Sequence, residues 1–283
     1  MARVHLVRHG TTTAAEGVFS GSQDLPLSEH GQAMAQRLSK RLSQEQIDSF
    51  YSSHKIRAIQ TAHAISLPHV EMKGSKLIPS QLSELGEISH GRWEGKTKDE
   101  VIKEWPDEYE HWEEDPCLFA PLGGENGLSV IGRAIPAMDN IIRANAGKTA
   151  VVVSHKATLR LIICHYLGLP YRQYRDSFDL DQASLTTLVF KNPTKAKLTL
   201  YNDTSHYQGY GDFIILVNGR QHVTTNSELS YADIVALASG RADDQGMYTV
   251  IADDGDRARS MIRGDKIKVR DGMKFDAVIT GAA

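Results

Sequence analysis

Residues 148–170, "KTAVVVSHKATLRLIICHYLGLP", carry the pattern that decides the fold. The run from Ala150 to Val153 is apolar, short and rich in β-branched valine, as expected of a strand covered on both faces. It stops at Ser154-His155, and from about Lys156 to Tyr166 the apolar residues fall at helical spacing until Gly168 and Pro170 end the segment. A buried strand feeding directly into a helix is half of a parallel crossover unit. His155 then lies just past the carboxyl end of its strand, where open α/β sheets build their sites.

Working outward, the same device recurs at the N-terminus, where "RVHLV" runs into Arg8-His9-Gly10. The stretch "SEHGQAMAQRLSKRLSQ" follows, with Ser28 as N-cap and Ala35, Leu38 and Leu42 at helical spacing. "IDSFYSS" reads as a strand, and "KIRAIQTAHAIS" as a helix closed by Pro68. The expectation is an α/β fold: a three-layer, open, mostly parallel sheet with helices on both faces.

After "LYNDTSHYQGYGD" the composition changes. "FIILVNGRQHVTT" reads as a hairpin turning at Asn-Gly, and "SYADIVALASG" as a helix with Ser230 as N-cap and Gly240 as stop. "MYTVIA" and "KIKVRDGMKFDAVIT" add strands, the latter with an Asp-Gly step expected to form a hairpin or tight turn. Phe213, Ile215, Val217, Ile234, Leu237, Val250, Ile267 and Phe275 could supply a small separate core. Two domains are expected, 1–209 and 210–283, with Gly209–Asp212 as the linker and the second a small α+β unit.

With 283 residues and a net charge of −3, the chain has no cationic excess to indicate a nucleic-acid or anionic-membrane partner, so any anion site must be local. Cys117 and Cys164 are too few for a disulfide framework or thiolate cluster and fit a reducing, cytoplasmic setting. No apolar run of about 18 residues appears, and "MARVHLV" lacks the apolar segment of a signal peptide.

His9 and His155 both follow buried strands, and Arg57 sits in the first turn of the helix after the next strand. With Arg8 they make a cage for a tetrahedral dianion, in which a neutral imidazole is a competent nucleophile toward phosphorus. The leaving oxygen needs a proton, and "QLSELGEISHGRWEG" offers both Glu84 and Glu87.

Six ordered motifs, "LVRHGTT", "DLPLSEHG", "YSSHKIRAIQTA", "LGEISHGRWEG", "LGGEN" and "VVVSHKATLR", resemble the histidine phosphatase (phosphoglycerate mutase-like) superfamily over roughly residues 1–207. The resemblance implies a phosphorylated His9, a phosphate pocket of Arg8, Arg57 and His155, and a carboxyl acid at Glu87, four residues before Gly91. It implies no metal and no organic cofactor. Family members often carry Asn where this chain has Ala15, and Ser where it has Asn126. Thr12 is a further phosphate-binding candidate, and Glu84, His90, Glu125 and Lys156 are candidates for substrate choice. The acidic "KEWPDEYEHWEED" segment is expected to form a helical cap over the site.

The implied activity is metal-independent hydrolysis of a small phosphorylated metabolite. The alternatives are a phosphoglycerate mutase-type phosphotransferase, disfavoured because no additional paired-Arg clamp stands out in 96–122, and a non-catalytic phosphate-recognising protein. The tail resembles a ubiquitin-like β-grasp module of the bacterial multiubiquitin type. It ends "ITGAA" without a diglycine, so conjugation is not expected; a protein partner for the tail is, and a homodimer is compatible with the reading.

Overall fold

The computed structural model describes every residue except 15–16, 74–76, 208–212, 225, 227, 242–245, 254–257, 271 and 282–283. Chain contacts divide it into two compact units, Met1–Tyr207 and Gln208–Ala283. Ala15 and the Gly209–Asp212 linker lie outside the described residues.

In the first unit β1 (Ala2–Arg8), β2 (Ser49–Ser53), β3 (Ser80–Leu82) and β4 (Thr149–Ser154) pair in parallel, and β5 (Leu185–Asn192) and β6 (Lys195–Asp203) add an antiparallel edge, in the order β3-β2-β4-β1-β5-β6. Side-chain alternation along the central strands divides the apolar surface between two cores. Val7, Val151 and Val153 meet Leu38 and Leu42 of α1 (Glu29–Leu42) and Ala58, Ala62 and Ile65 of α2 (Ile56–Lys73). On the other face Val4, Leu6, Ala150 and Val152 meet Met138 and Ile142 of α5 (Gly127–Ala144) and Leu159 and Ile163 of α6 (Lys156–Leu167). Helices therefore cover both faces of the sheet. Two short helices, α3 (Lys98–Glu104) and α4 (Pro106–Glu114), complete the unit. Among the described residues no helix is long and apolar enough to cross a membrane.

Pro68 does not close α2, which continues through it to Lys73. A proline removes one i→i−4 hydrogen bond, but here the residues around it are held by packing. Ile65 and His69 are fully buried, and the His69 ring lies 5.3 Å from Phe50 of β2.

The second unit runs β7 (Phe213–Val217), β8 (Arg220–Thr224), β9 (Glu228–Ser230), α7 (Tyr231–Ser239), β10 (Met247–Asp253), β11 (Ala258–Met261), β12 (Lys266–Lys268) and β13 (Lys274–Gly281). Asn218 and Gly219 have φ of 51° and 74°, as a two-residue type I′ hairpin turn requires. Ser230 and Asp233 form a capping box on α7, and Gly240 ends it at φ 71°. β11-β10-β13-β7-β8 form one sheet and β12-β9 another. Because β12 and β13 belong to different sheets, the step at Gly272 (φ 82°) is a turn between sheets and not a hairpin; Asp271 lies outside the described residues. Ile215, Val217, Ile234, Val250, Ile267 and Phe275 are buried in a core of their own, with Phe213 and Leu237 packed on its margin.

A core with its own caps and turns is what independent folding requires of a unit near the lower size limit. A 210–283 fragment is expected to give a dispersed amide NMR spectrum that overlays on the corresponding signals of the whole chain. A collapsed spectrum would mean that the two units fold as one.

Candidate active site

β1 and β4 are parallel neighbours in the register Val7↔Val153 and Arg8↔Ser154, and the His9 backbone N–H donates to Ser154 O at 3.1 Å. The next residue of each strand end is a histidine, and the two rings lie 5.0 Å apart, inclined by 61°. β2 flanks β4 on its other side and ends at Ser53, so α2 begins beside the pair with Arg57 in its first turn. Gly10 is required by a close approach: a Cβ there would lie 2.5 Å from Gly31 O, where the loop after β1 rests on the first turn of α1.

The partners fix the tautomers. His9 Nδ1 faces Gly10 O at 2.7 Å and must donate, leaving the lone pair on Nε2. Arg57 Nε–H donates to both His9 Nε2 (3.3 Å) and His155 Nδ1 (3.2 Å), so His155 carries its proton on Nε2 and donates it to Ser53 Oγ at 2.8 Å. The other arms of Arg57 donate to Gln23 O (2.6 Å) and Gly21 O (2.9 Å). Arg8 Nη1 donates to Leu180 O at 2.6 Å, while its buried Nε has no partner among the described residues. A buried orphan donor beside a second buried guanidinium marks a place for an anion.

Burial holds both histidines well below the ordinary imidazole pKa, reinforced by Arg8 and Arg57 at His9 and by His9 and Arg57 at His155. Burial also lowers Arg57 and pushes Arg8 down to about 10. Both imidazoles are therefore neutral at neutral pH. Below the free-imidazole value of about 6.5 the unfolded chain takes up protons that the folded site refuses, so stability is full above that pH and falls on acidification, by up to about 1.4 kcal/mol per pH unit for each ring. Urea unfolding at about pH 7 and about pH 5 is expected to show the loss, and His155→Asn to flatten it. An unchanged slope in the variant would overturn this account.

Glu87 reaches the site from the loop before α3. Its carboxylate accepts from Ile88 N (3.0 Å), from Ala157 N and Thr158 N (both 3.2 Å) and from the Thr158 hydroxyl (3.2 Å). His155, the N-cap residue of α6, makes no side-chain capping bond, so Glu87 caps that helix from a distant part of the chain. Arg8, His9, Arg57 and Glu87 line one cavity of about 470 Å³, with Thr12, Phe19, His90, Lys156 and Gln182 also in its wall.

The sequence model of the histidine phosphatase superfamily (branch 1) matches residues 4–204 of the chain. The chain belongs to the histidine phosphatase superfamily. It is thereby a phosphatase-type hydrolase. Phosphoserine phosphatase 1 of Hydrogenobacter thermophilus is 32% identical over 216 residues, covering 76% of this chain and 97% of that protein. The solved structure of Bacillus stearothermophilus YhfR superposes with a TM-score of 0.65 at 31% identity, covering 73% of this chain and 99% of the other. A mycobacterial glucosyl-3-phosphoglycerate phosphatase complexed with VO3 gives 0.62 at 26% identity, covering 71% and 98%. A multiubiquitin model matches residues 213–281.

Within this histidine phosphatase the remaining candidates separate by position. Thr12 lines the cavity, and its hydroxyl accepts from Ala14 N at 3.4 Å. His90 lines it too, its ring 4.9 Å from that of Phe19 and its pKa lowered by burial. Glu84 does not line it; the side chain is exposed beside the Ser83 hydroxyl, because the short 3₁₀ turn Ser83–Leu85 carries it away from the strand ends. Glu125 is also off the cavity, bound through both oxygens to Arg133 (2.8 and 3.0 Å). Arg133 in turn donates to the carbonyls of Glu84, Gly86 and Glu87, so the pair positions the loop that carries Glu87.

The acidic segment is no cap: no residue of α3 or α4 lines the cavity. Its aromatic residues pack with Trp93, and Trp93 and Trp112 support Phe19 from behind, at 5.3 and 5.9 Å. Glu94 was not a sequence candidate. It accepts from Ser22 N (2.8 Å) and His90 N (2.9 Å) through one oxygen and thus joins two walls of the site. Its place in the "GRWEG" motif was the available signal.

Proposed function

We propose that the chain is a metal-independent phosphomonoesterase that acts on a small phosphorylated metabolite through a phosphohistidine at His9. The observation that carries this reading is the neutral His9, with its lone pair on Nε2, set beside the buried Arg57 guanidinium and the half-buried Arg8, whose Nε–H has no partner among the described residues. Arg8 and Arg57 hold the phosphoryl oxygens and offset the charge that develops on them. His9 Nε2 attacks phosphorus as the ester P–O bond breaks, and Glu87 gives its proton to the departing alkoxide. Water then attacks phosphorus and returns a proton to Glu87. The P–N bond breaks, releasing phosphate and neutral His9. His155, fixed by Ser53 and sharing the Arg57 N–H, becomes a second donor to the phosphoryl group when the bound dianion favours its protonation. Thr12 is assigned to the phosphate pocket on its place in the cavity wall.

The 1–209 part would carry this chemistry, and the 210–283 part, given its multiubiquitin likeness, a protein-binding role in the cytoplasm. Quenching turnover in alkali, where a phosphorylated imidazole survives, and mapping the peptides by mass spectrometry is expected to find the phosphoryl group on His9. A phosphoryl group on another residue, or none under conditions that accumulate the intermediate, would overturn the mechanism.

A further inference from the structure

Lys156 is a cation in the cavity wall that the phosphoryl chemistry leaves without a task. It is the first residue of α6, next to Ala157 and Thr158, whose N–H groups hold Glu87. It therefore stands on the side of the cavity where the acid meets the departing alcohol. Its surroundings oppose a positive charge. Burial, then Arg160 and Arg8, lower its pKa, and a helix N-terminus adds partial positive charge of its own. Asp179 and Asp181 favour the charge from a distance, but Asp179 is paired with Arg160 at 3.3 Å and Asp181 accepts from Asn202 at 3.0 Å. No hydrogen bond or ion pair engages the Lys156 ammonium among the described residues.

Within the cavity wall Arg8, Arg57 and Lys156 face one carboxylate, Glu87, among the described residues. A phosphoryl dianion balances the two arginines. Glu87 is uncharged when it carries the proton for the leaving group, and among the described residues Lys156 is then the one cation in the wall without a counter-charge. A half-buried ammonium left in that condition is unfavourable, and an anion supplied by the substrate relieves it.

We propose that Lys156 selects phosphomonoesters whose alcohol portion bears a second anionic group, a carboxylate or a further phosphate, a few bonds from the ester oxygen. The inference rests on the hydrolase reading above and adds the class of substrate to it. The volume of about 470 Å³ limits that substrate to a small metabolite. A neutral alcohol in the same place leaves the lysine uncompensated, so discrimination arises as much from rejecting the wrong leaving group as from holding the right one.

The test compares kcat/KM for phosphoglycolate with that for ethyl phosphate, which differ by a carboxylate in place of a methyl group. A parallel arm compares a hexose bisphosphate with its monophosphate. The unaltered chain is expected to favour the more anionic member of at least one pair by about tenfold or more. Lys156→Met is expected to bring that ratio close to one, and Lys156→Arg to retain it. Loss of the ratio in the first pair identifies a carboxylate, and in the second a further phosphate. A ratio near one in the unaltered chain, or one that survives Lys156→Met, overturns the inference while p-nitrophenyl phosphate turnover keeps the hydrolase reading intact. Absence of turnover on every ester overturns both.

Discussion

His9→Ala is expected to lower p-nitrophenyl phosphate hydrolysis by at least about 10⁴-fold, with the unaltered chain retaining its rate in excess chelator. The large factor follows from the site having a single nucleophile of the right form. His9 is neutral because burial and two arginines disfavour its proton, and its Nδ1–H is tied to Gly10 O, so the lone pair is confined to Nε2. His155 cannot substitute easily, since it is fully buried and, unlike His9, is not among the residues that line the cavity. Insensitivity to chelator follows from guanidinium groups taking the part of charge stabiliser. A variant that keeps most of its activity, or an unaltered enzyme that needs added divalent metal, would exclude the phosphohistidine route.

Glu87→Gln is expected to reduce hydrolysis of alkyl phosphates by about 10²–10⁴-fold while reducing that of p-nitrophenyl phosphate by less than about tenfold. The contrast is necessary because Glu87 also caps α6. An amide offers one acceptor oxygen to the Ala157 and Thr158 N–H groups where the carboxylate offers two, so some structural disturbance is built into the variant. Structural damage lowers both activities together. Loss of a proton donor lowers the one whose leaving oxygen needs a proton. Glu84→Gln, at an exposed position off the cavity, is expected to stay within about twofold on both substrates. The reverse pattern would transfer the acid role to Glu84.

What could be read from the chain before folding was set by how local its causes are. Ser28 and Ser230 cap helices through residues three positions on, and the Asn218-Gly219 turn needs only its own two dihedral angles. The strand ends carrying His9 and His155 are equally plain, because strands covered on both faces are continuous apolar runs. Less local features were harder. Pro68 is a helix stop by every local rule and is overruled by packing against β2. Nothing near residues 103–115 shows that their aromatic groups back a loop some 90 residues earlier in place of covering a site. The choice between Glu84 and Glu87 depends on which one meets the start of α6, and spacing within "SELGEIS" does not encode that meeting.

The place of β1 in the sheet has a consequence for synthesis. β1 precedes both of its neighbours in the chain yet lies in the interior of the sheet, with β4 (149–154) on one side and β5 (185–192) on the other. Its two edges cannot both be occupied until residue 192 has been added, which at about 5–20 residues per second means a wait of roughly 10–40 seconds for a strand of apolar side chains. The Arg8-His9 end of that strand is therefore assembled late, when its neighbours arrive. Until then both edges of this apolar strand are unpaired, and a chaperone that shelters residues 2–8 during that interval would protect the chain from edge-to-edge association.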